Sequence, residues 1–218
     1  MNTFFGFVVS IIYIGLVIVS ANVFAKAGKE ASRKYIHILL SNWWIIAMVF
    51  FKGPVVASIL PGLFIIINYV SYKKDLIKVM ERDEGEENKE SLGTVYYAIS
   101  LFVLALLTFG PLNNPFIGLC GIAVMGYGDG LAAVIGQAVN SPKYTFKGTT
   151  KSLAGSLAMF LVTLMIFAGY LWYMQAPYVA IKSILVALGI TALEAVSIKG
   201  TDNLTVPLVT ALLAALLI

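Results

Sequence analysis

Apolar stretches long enough to cross a bilayer run through almost the whole chain, and this decides what it can fold into. A transmembrane helix needs about 20 apolar residues. Eight stretches reach or approach that length: residues 3–25, 36–52, 54–72, 93–111, 115–139, 153–174, 177–197 and 204–218. The second and eighth are short, so the count is seven or eight. Inside hydrocarbon every backbone polar group needs an internal partner, which makes each stretch a helix. The expected fold is therefore all-α: a polytopic membrane helix bundle of seven or eight transmembrane helices, built as a single domain over residues 1–218. Charged residues make up 12% of the chain, about half the share of a soluble domain, and 60% is hydrophobic. A cytosolic α/β enzyme, a disordered protein and a disulfide scaffold are excluded, and the one cysteine, Cys120, has no internal partner to bridge to. The first stretch is too long and uniform for a signal peptide, and no small-residue cleavage site follows it.

The cations set the orientation. Lys26, Lys29, Arg33 and Lys34 follow the first stretch, and Lys73, Lys74, Lys78, Arg82 and Lys89 follow the third. Lys143, Lys147 and Lys151 follow the fifth, and Lys199 follows the seventh. Thirteen of the 15 cations thus share one face, while Lys52 and Lys182 fall near the other. Positive residues stay inside, so this face is expected to be cytoplasmic, with the N-terminus outside. The net charge of +4 is then a topology signal. No basic–aromatic pattern of a nucleic-acid binder is present.

Nine of the 11 acids fall into two sets. Glu81, Asp83, Glu84, Glu86, Glu87 and Glu90 read as a solvated loop. Asp129 and Glu194 lie within or at the ends of apolar stretches, and Asp202 follows in the last cytoplasmic loop. An ionisable group in a membrane span is costly and points to function. All three lie toward the face that carries the cations.

Four segments bring polar chemistry to that face. In Arg33-Lys34-Tyr35-Ile36-His37, Arg33 and His37 are one helical turn apart and share a side. Topology explains the two cations as well as phosphate binding does. His37, the one histidine, reads equally as an interfacial hydrogen-bonding residue or as a catalyst. In Gly126-Tyr127-Gly128-Asp129-Gly130-Leu131-Ala132-Ala133, the glycines allow close helix packing or close approach of a ligand. No strand precedes this segment, so it is not a dinucleotide fingerprint. Asp129 serves either a packing hydrogen bond or Mg²⁺, a hard cation that prefers carboxylate oxygen.

The third segment runs from Ser141 to Ser156 and is read as a loop. It carries Lys147 and Lys151 into the start of a helix at Ser152, with Gly155 close behind. Lysines beside helix N-terminal amides make an anion site whose natural guest is a polyphosphate. It contains no P-loop motif. In the fourth, Glu194 precedes Gly200-Thr201-Asp202-Asn203, and the Asp202–Asn203 pair is either a helix cap or a second metal or ribose contact.

At these residues the chain resembles the CTP-dependent lipid-alcohol kinases, which include dolichol kinase, phytol kinase and a yeast-type diacylglycerol kinase. The matching pieces are Arg33-Lys34-x-x-His37, Gly128-Asp129-Gly130-x-Ala132, Lys147-Gly148-x-x-Lys151-Ser152-x-Ala154-Gly155-Ser156-x-Ala158-Met159-Phe160, and Glu194 with Asp202-Asn203-Leu204-Thr205-Val206-Pro207. The Lys-Ser-x-Ala-Gly-Ser stretch looks most like the phytol kinase branch. The resemblance implies CTP as phosphoryl donor and a lipid alcohol as acceptor. The expected roles follow. Asp129 and Asp202 bind Mg²⁺, and Asp129, Glu194 and His37 form the catalytic set, in which a carboxylate or His37 takes the alcohol proton. Arg33, Lys34, Lys147, Lys151, Ser152, Gly155 and Asn203 bind nucleotide and phosphate.

The chain is also similar to phosphatidate cytidylyltransferases through Asp129-x-x-Ala132 and Ser141-Pro142-Lys143, but it has Asp202-Asn203-Leu204 where that family has a His-Gly-Gly-x-x-Asp-Arg segment. A cytidylyltransferase making a CDP-lipid is therefore one alternative. A small secondary transporter, which would use Asp129 and Glu194 as ion sites, is another.

Overall fold

The computed structural model describes residues 2–24, 29–74, 92–198 and 200–218. Lys26, Lys78, Arg82, Lys89 and Lys199, and the acids from Glu81 to Glu90, lie outside the described residues.

The described chain is mostly helical, and its helices follow the apolar stretches. α1 (Thr3–Phe24) packs along α2 (Lys29–Ser41) and α3 (Trp43–Phe50), which the sequence reads as one stretch and which separate at Asn42. The Tyr127 hydroxyl donates to the Asn42 side chain at 2.8 Å, fixing the break. Gly53, at φ +86°, makes the turn into α4 (Pro54–Lys74), where Pro54 loses nothing because the first amide of a helix has no internal partner. α5 (Gly93–Thr108) runs back antiparallel to α4. The Asn68 amide donates to the Thr94 carbonyl at 3.0 Å near one end, and Gly110 meets Pro54 at the other.

The fifth stretch is one helical rod in three parts: α6 (Pro115–Ala123), a π-helical segment Val124–Asp129, and α7 (Gly130–Ala138). π-turns inside α-helices are rare and recur at functional sites. Here the π segment ends on Asp129. Glycines set its neighbours' distance: a Cβ on Gly130 would lie 2.5 Å from Ile38 Cγ1, so α2 can approach only a glycine there. α8 (Leu153–Tyr173), α9 (Val179–Ala195) and α10 (Asp202–Leu216) complete the bundle.

Four helical segments, Thr3–Ala21, Pro54–Lys74, Pro115–Ala138 and Leu153–Tyr173, are long and apolar enough to cross a membrane, and Gly93–Thr108 and Asp202–Leu216 are shorter apolar helices. The core centres on Trp44, Ile122, Met125, Met159, Phe167 and Leu171, all buried. The outer faces are as apolar as the inside: Phe4, Ile11, Leu16, Ile66, Met165, Ile181 and Leu185 are exposed. Such an inside-and-outside apolar pattern fits lipid as the surrounding solvent.

The expectation of an all-α chain needs one correction. Residues 141–156, read as a loop, contain an antiparallel hairpin of β1 (Lys143–Phe146) and β2 (Thr149–Ser152), with Lys143 opposite Ser152 and Phe146 opposite Thr149. Lys147 and Gly148 both take positive φ, +44° and +82°. That two-residue turn matches the twist of the strands it joins. Tyr144, Thr145, Phe146, Thr149 and Thr150 supply aromatic and β-branched residues that favour strands.

Candidate functional site

The hairpin leads straight into α8, and this junction forms one wall of a cleft of about 430 Å³. α2 contributes Arg33 and Lys34. The π segment and α7 contribute Asp129 and Gln137. The hairpin contributes Lys143, Thr149, Thr150 and Lys151. The opposite wall is Glu194 and Ser197 at the end of α9, with Asp202 and Asn203 at the start of α10.

Two lysines, Lys34 buried and Lys151 half-buried, hold three carboxylates in this cleft. Lys34 Nζ lies 2.5 Å from Asp129 Oδ2, and the two side chains are only 6% and 8% exposed. Lys151 donates to both the carboxylate and the backbone carbonyl of Glu194, and its Nζ lies 4.0 Å from Asp202 Oδ2. One carboxylate oxygen each from Asp129, Glu194 and Asp202 lie within 4.8 Å of one another. Carboxylates this close repel unless cations intervene. The donors are all hard carboxylate oxygens, so the set fits a divalent cation such as Mg²⁺.

The start of α8 differs from a free anion site. The Ser152 hydroxyl caps the helix by accepting from the Gly155 amide at 3.1 Å. The Ser141 hydroxyl accepts from the Ala154 amide at 3.2 Å, and the Pro142 carbonyl accepts from the Leu153 amide at 2.9 Å. The first amides are thus used within the protein. Attraction for an anion here comes from Lys143, Lys151 and the helix dipole. Gly155 has a packing reason to be glycine, since a Cβ would sit 2.7 Å from the Ala132 carbonyl.

Comparison with known proteins bears on what this cleft serves. No family model matches the chain, and no solved structure matches it. A phytol kinase of Synechocystis sp. is 32% identical over 212 residues, covering 93% of this chain and 87% of that protein. The chain belongs to the phytol kinase family. Its members include a probable chloroplastic phytol kinase of Triticum aestivum, 30% identical over 87% of this chain and 68% of its own length. Phytol kinase 1 of Arabidopsis thaliana, also chloroplastic, is 30% identical over 86% of this chain and 66% of its own length.

Within this phytol kinase fold, the structure brings Arg33, Lys34, Asp129, Lys151, Ser152, Gly155, Glu194, Asp202 and Asn203 to the one cleft. Two residues singled out in the sequence lie elsewhere. Lys147 sits exposed at the hairpin turn, its Nζ 5.7 Å from the Phe146 ring centroid. His37 lines a small neighbouring pocket, where its Nε2 is 2.6 Å from Met125 Sδ and its ring packs 4.3 Å from that of Tyr97. Gln137, Thr149, Thr150 and Ser197 also line the cleft, beyond the residues to which the sequence assigns a role, as do Ser156 and Lys143, which enter the sequence analysis only through family resemblance and topology. The adjacent β-branched Thr149-Thr150 pair of β2 is the available signal for two of them.

Proposed function

We propose that this chain is an integral, multi-pass membrane kinase that transfers the γ-phosphoryl group of CTP to the hydroxyl of a lipid alcohol. Phytol or another polyprenol-type isoprenoid alcohol is the first candidate acceptor, and diacylglycerol is the next. The observation that carries this reading is the buried cluster of Asp129, Glu194 and Asp202 between Lys34 and Lys151, at one end of a bundle whose outer faces are apolar. Membership of the phytol kinase family supports it. In this reading the bundle crosses the bilayer seven or eight times, the N-terminus is outside, and the cleft opens to the cytoplasm, where a soluble nucleotide can meet a membrane-borne alcohol.

Phosphoryl transfer demands positioning and charge stabilisation more than covalent chemistry from the protein. Asp129 and Asp202 would hold Mg²⁺, which neutralises phosphate charge when bound. Arg33, Lys34, Lys143 and Lys151 face the phosphates and stabilise the charge that spreads over the transferring group. Asn203 and Ser152 offer hydrogen bonds to the nucleotide. The alcohol oxygen forms a bond to the γ-phosphorus, the bond from that phosphorus to the β–γ bridging oxygen breaks, and CDP leaves. Glu194 accepts the alcohol proton; it stands in the cleft, whereas His37 faces Met125 and Tyr97 in the pocket beside it.

The test is purified protein with labelled CTP, Mg²⁺ and, separately, phytol, a long polyprenol and diacylglycerol. The expected products are a phosphorylated alcohol and CDP. Pyrophosphate with a CDP-lipid would instead make it a cytidylyltransferase. Absence of nucleotide turnover, with ion flux in vesicles, would make it a transporter.

A further inference from the structure

The cleft does not end at its own walls. It shares Arg33 and Asn203 with the small pocket beside His37, and that pocket shares Leu40, Asn68 and Tyr97 with a third, apolar one between α3, α4 and α5. The pocket beside His37 and the apolar one are each about 40 Å³. The third is lined by carbon from Trp43, Leu60, Phe64 and Leu101. Along α4 it extends from Asn68 to Leu60, about 12 Å at 1.5 Å per residue, away from the charged end.

The middle pocket holds two polar atoms that need a partner. The Tyr97 hydroxyl and Asn203 Oδ1 are buried and have no hydrogen-bond partner among the described residues, and the two residues are 5% and 3% exposed. A buried polar group left unpaired is unfavourable. An alcohol hydroxyl has the complementary chemistry, since it can accept from the Tyr97 O–H and donate to Asn203 Oδ1.

We propose that this series of pockets is the acceptor channel: the part of the alcohol's hydrocarbon tail nearest its hydroxyl lies in the apolar slot between α3, α4 and α5, and Tyr97 and Asn203 guide that hydroxyl into the carboxylate cleft. The proposal rests on the kinase reading above. Tyr97 acts as a positioning residue, and Ala98 lies beside it on the slot wall.

The experiment uses the wild-type protein in lipid nanodiscs with a photoreactive diazirine analogue of a 20-carbon isoprenoid alcohol, with excess phytol as competitor. Phytol-sensitive labelling is expected on residues 60–68 and 97–101. Phytol-sensitive labelling confined to the outer faces of α8 and α9 would overturn the proposal, as would phosphorylation of phytol without competable label in the slot. Competable label in the slot of a protein that phosphorylates no alcohol would uphold the channel and sink the kinase reading.

Two variants give a kinetic arm. Ala98→Phe should raise KM for a 20-carbon alcohol about tenfold or more while leaving the nucleotide KM unchanged. Tyr97→Phe should raise the alcohol KM about fivefold, again without moving the nucleotide KM. Equal effects on the alcohol and the nucleotide would overturn the assignment.

Discussion

The two ends of the bundle are built from different materials. At the far end the chain turns with backbone geometry and caps. Gly53, Asn113, Gln175 and Tyr178 take positive φ, Asn114 caps α6 by accepting from the Phe116 amide at 3.2 Å, and the Trp44 indole N–H donates to the Pro115 carbonyl at 2.9 Å. Lys182 donates to the Leu217 carbonyl at 2.7 Å near the end of α10, a favourable place for a cation. No carboxylate is buried at that end among the described residues. The cleft end has a cap and positive-φ turns of its own, but there ion pairs also join the elements, Lys34 of α2 with Asp129 and Lys151 of β2 with Glu194. The comparison teaches that stability and chemistry are separable at one end and carried by the same side chains at the other.

The largest expected effect comes from breaking that shared use. Asp129→Asn should lower phosphorylation of the alcohol by about 10²-fold or more, the size seen when a charge-stabilising group is removed. It should also destabilise the protein by about 3–5 kcal/mol, because the Lys34 ammonium is left buried without its partner. Adding Lys34→Met should recover much of the thermal stability in detergent and none of the activity. Recovery of both would show that Asp129 serves packing alone.

Lys151 comes next. It reaches Glu194 from β2 and stands 4.0 Å from Asp202. Lys151→Met should lower kcat/KM for the nucleotide about 10- to 100-fold, as loss of a cationic phosphate contact does, with the alcohol KM little changed. An unchanged nucleotide KM and kcat would remove Lys151 from the phosphate site.

At the far end the same style of test should touch stability only. Asn114→Ala removes the cap of α6 and should cost about 1 kcal/mol, read as a lower midpoint of thermal unfolding. Its kcat and both KM values should match wild type. A loss of activity beyond what the lost folded fraction explains would mean that the two ends are coupled.

Which parts of this were legible beforehand follows from how charge and periodicity work in such a chain. In a sequence that avoids charge, Asp129, Glu194 and Asp202 stand out, and helical spacing with short turns brings them to one face. The cleft was therefore visible in outline. The hairpin was hidden because its four-residue strands are short and its lysines read first as topology signals, although Lys147-Gly148 between Thr145-Phe146 and Thr149-Thr150 carried the turn chemistry. The break at Asn42 and the π segment before Asp129 were hidden because an apolar run looks the same whether its hydrogen bonds step by four residues or by five. Tyr97 was hidden for a similar reason. In a span that is apolar on every side, periodicity does not tell a pocket wall from a lipid-facing position.

The hairpin supplies the finest test of the comparison, because two of its lysines differ chiefly in where the turn puts them. Lys147 and Lys151 are four residues apart and fall in the same motif. On a helix they would share a face. On a hairpin the turn at Lys147–Gly148 leaves Lys147 at the tip, exposed and over the Phe146 ring, while Lys151 on β2 is carried back into the cleft. An exposed charge contact is worth at most about 1 kcal/mol, so Lys147→Ala should change kcat/KM by less than about fivefold and lose its effect in high salt. A loss as large as that of Lys151→Met would mean that the hairpin tip folds over the bound nucleotide, and Lys147 would then belong with the cleft cations.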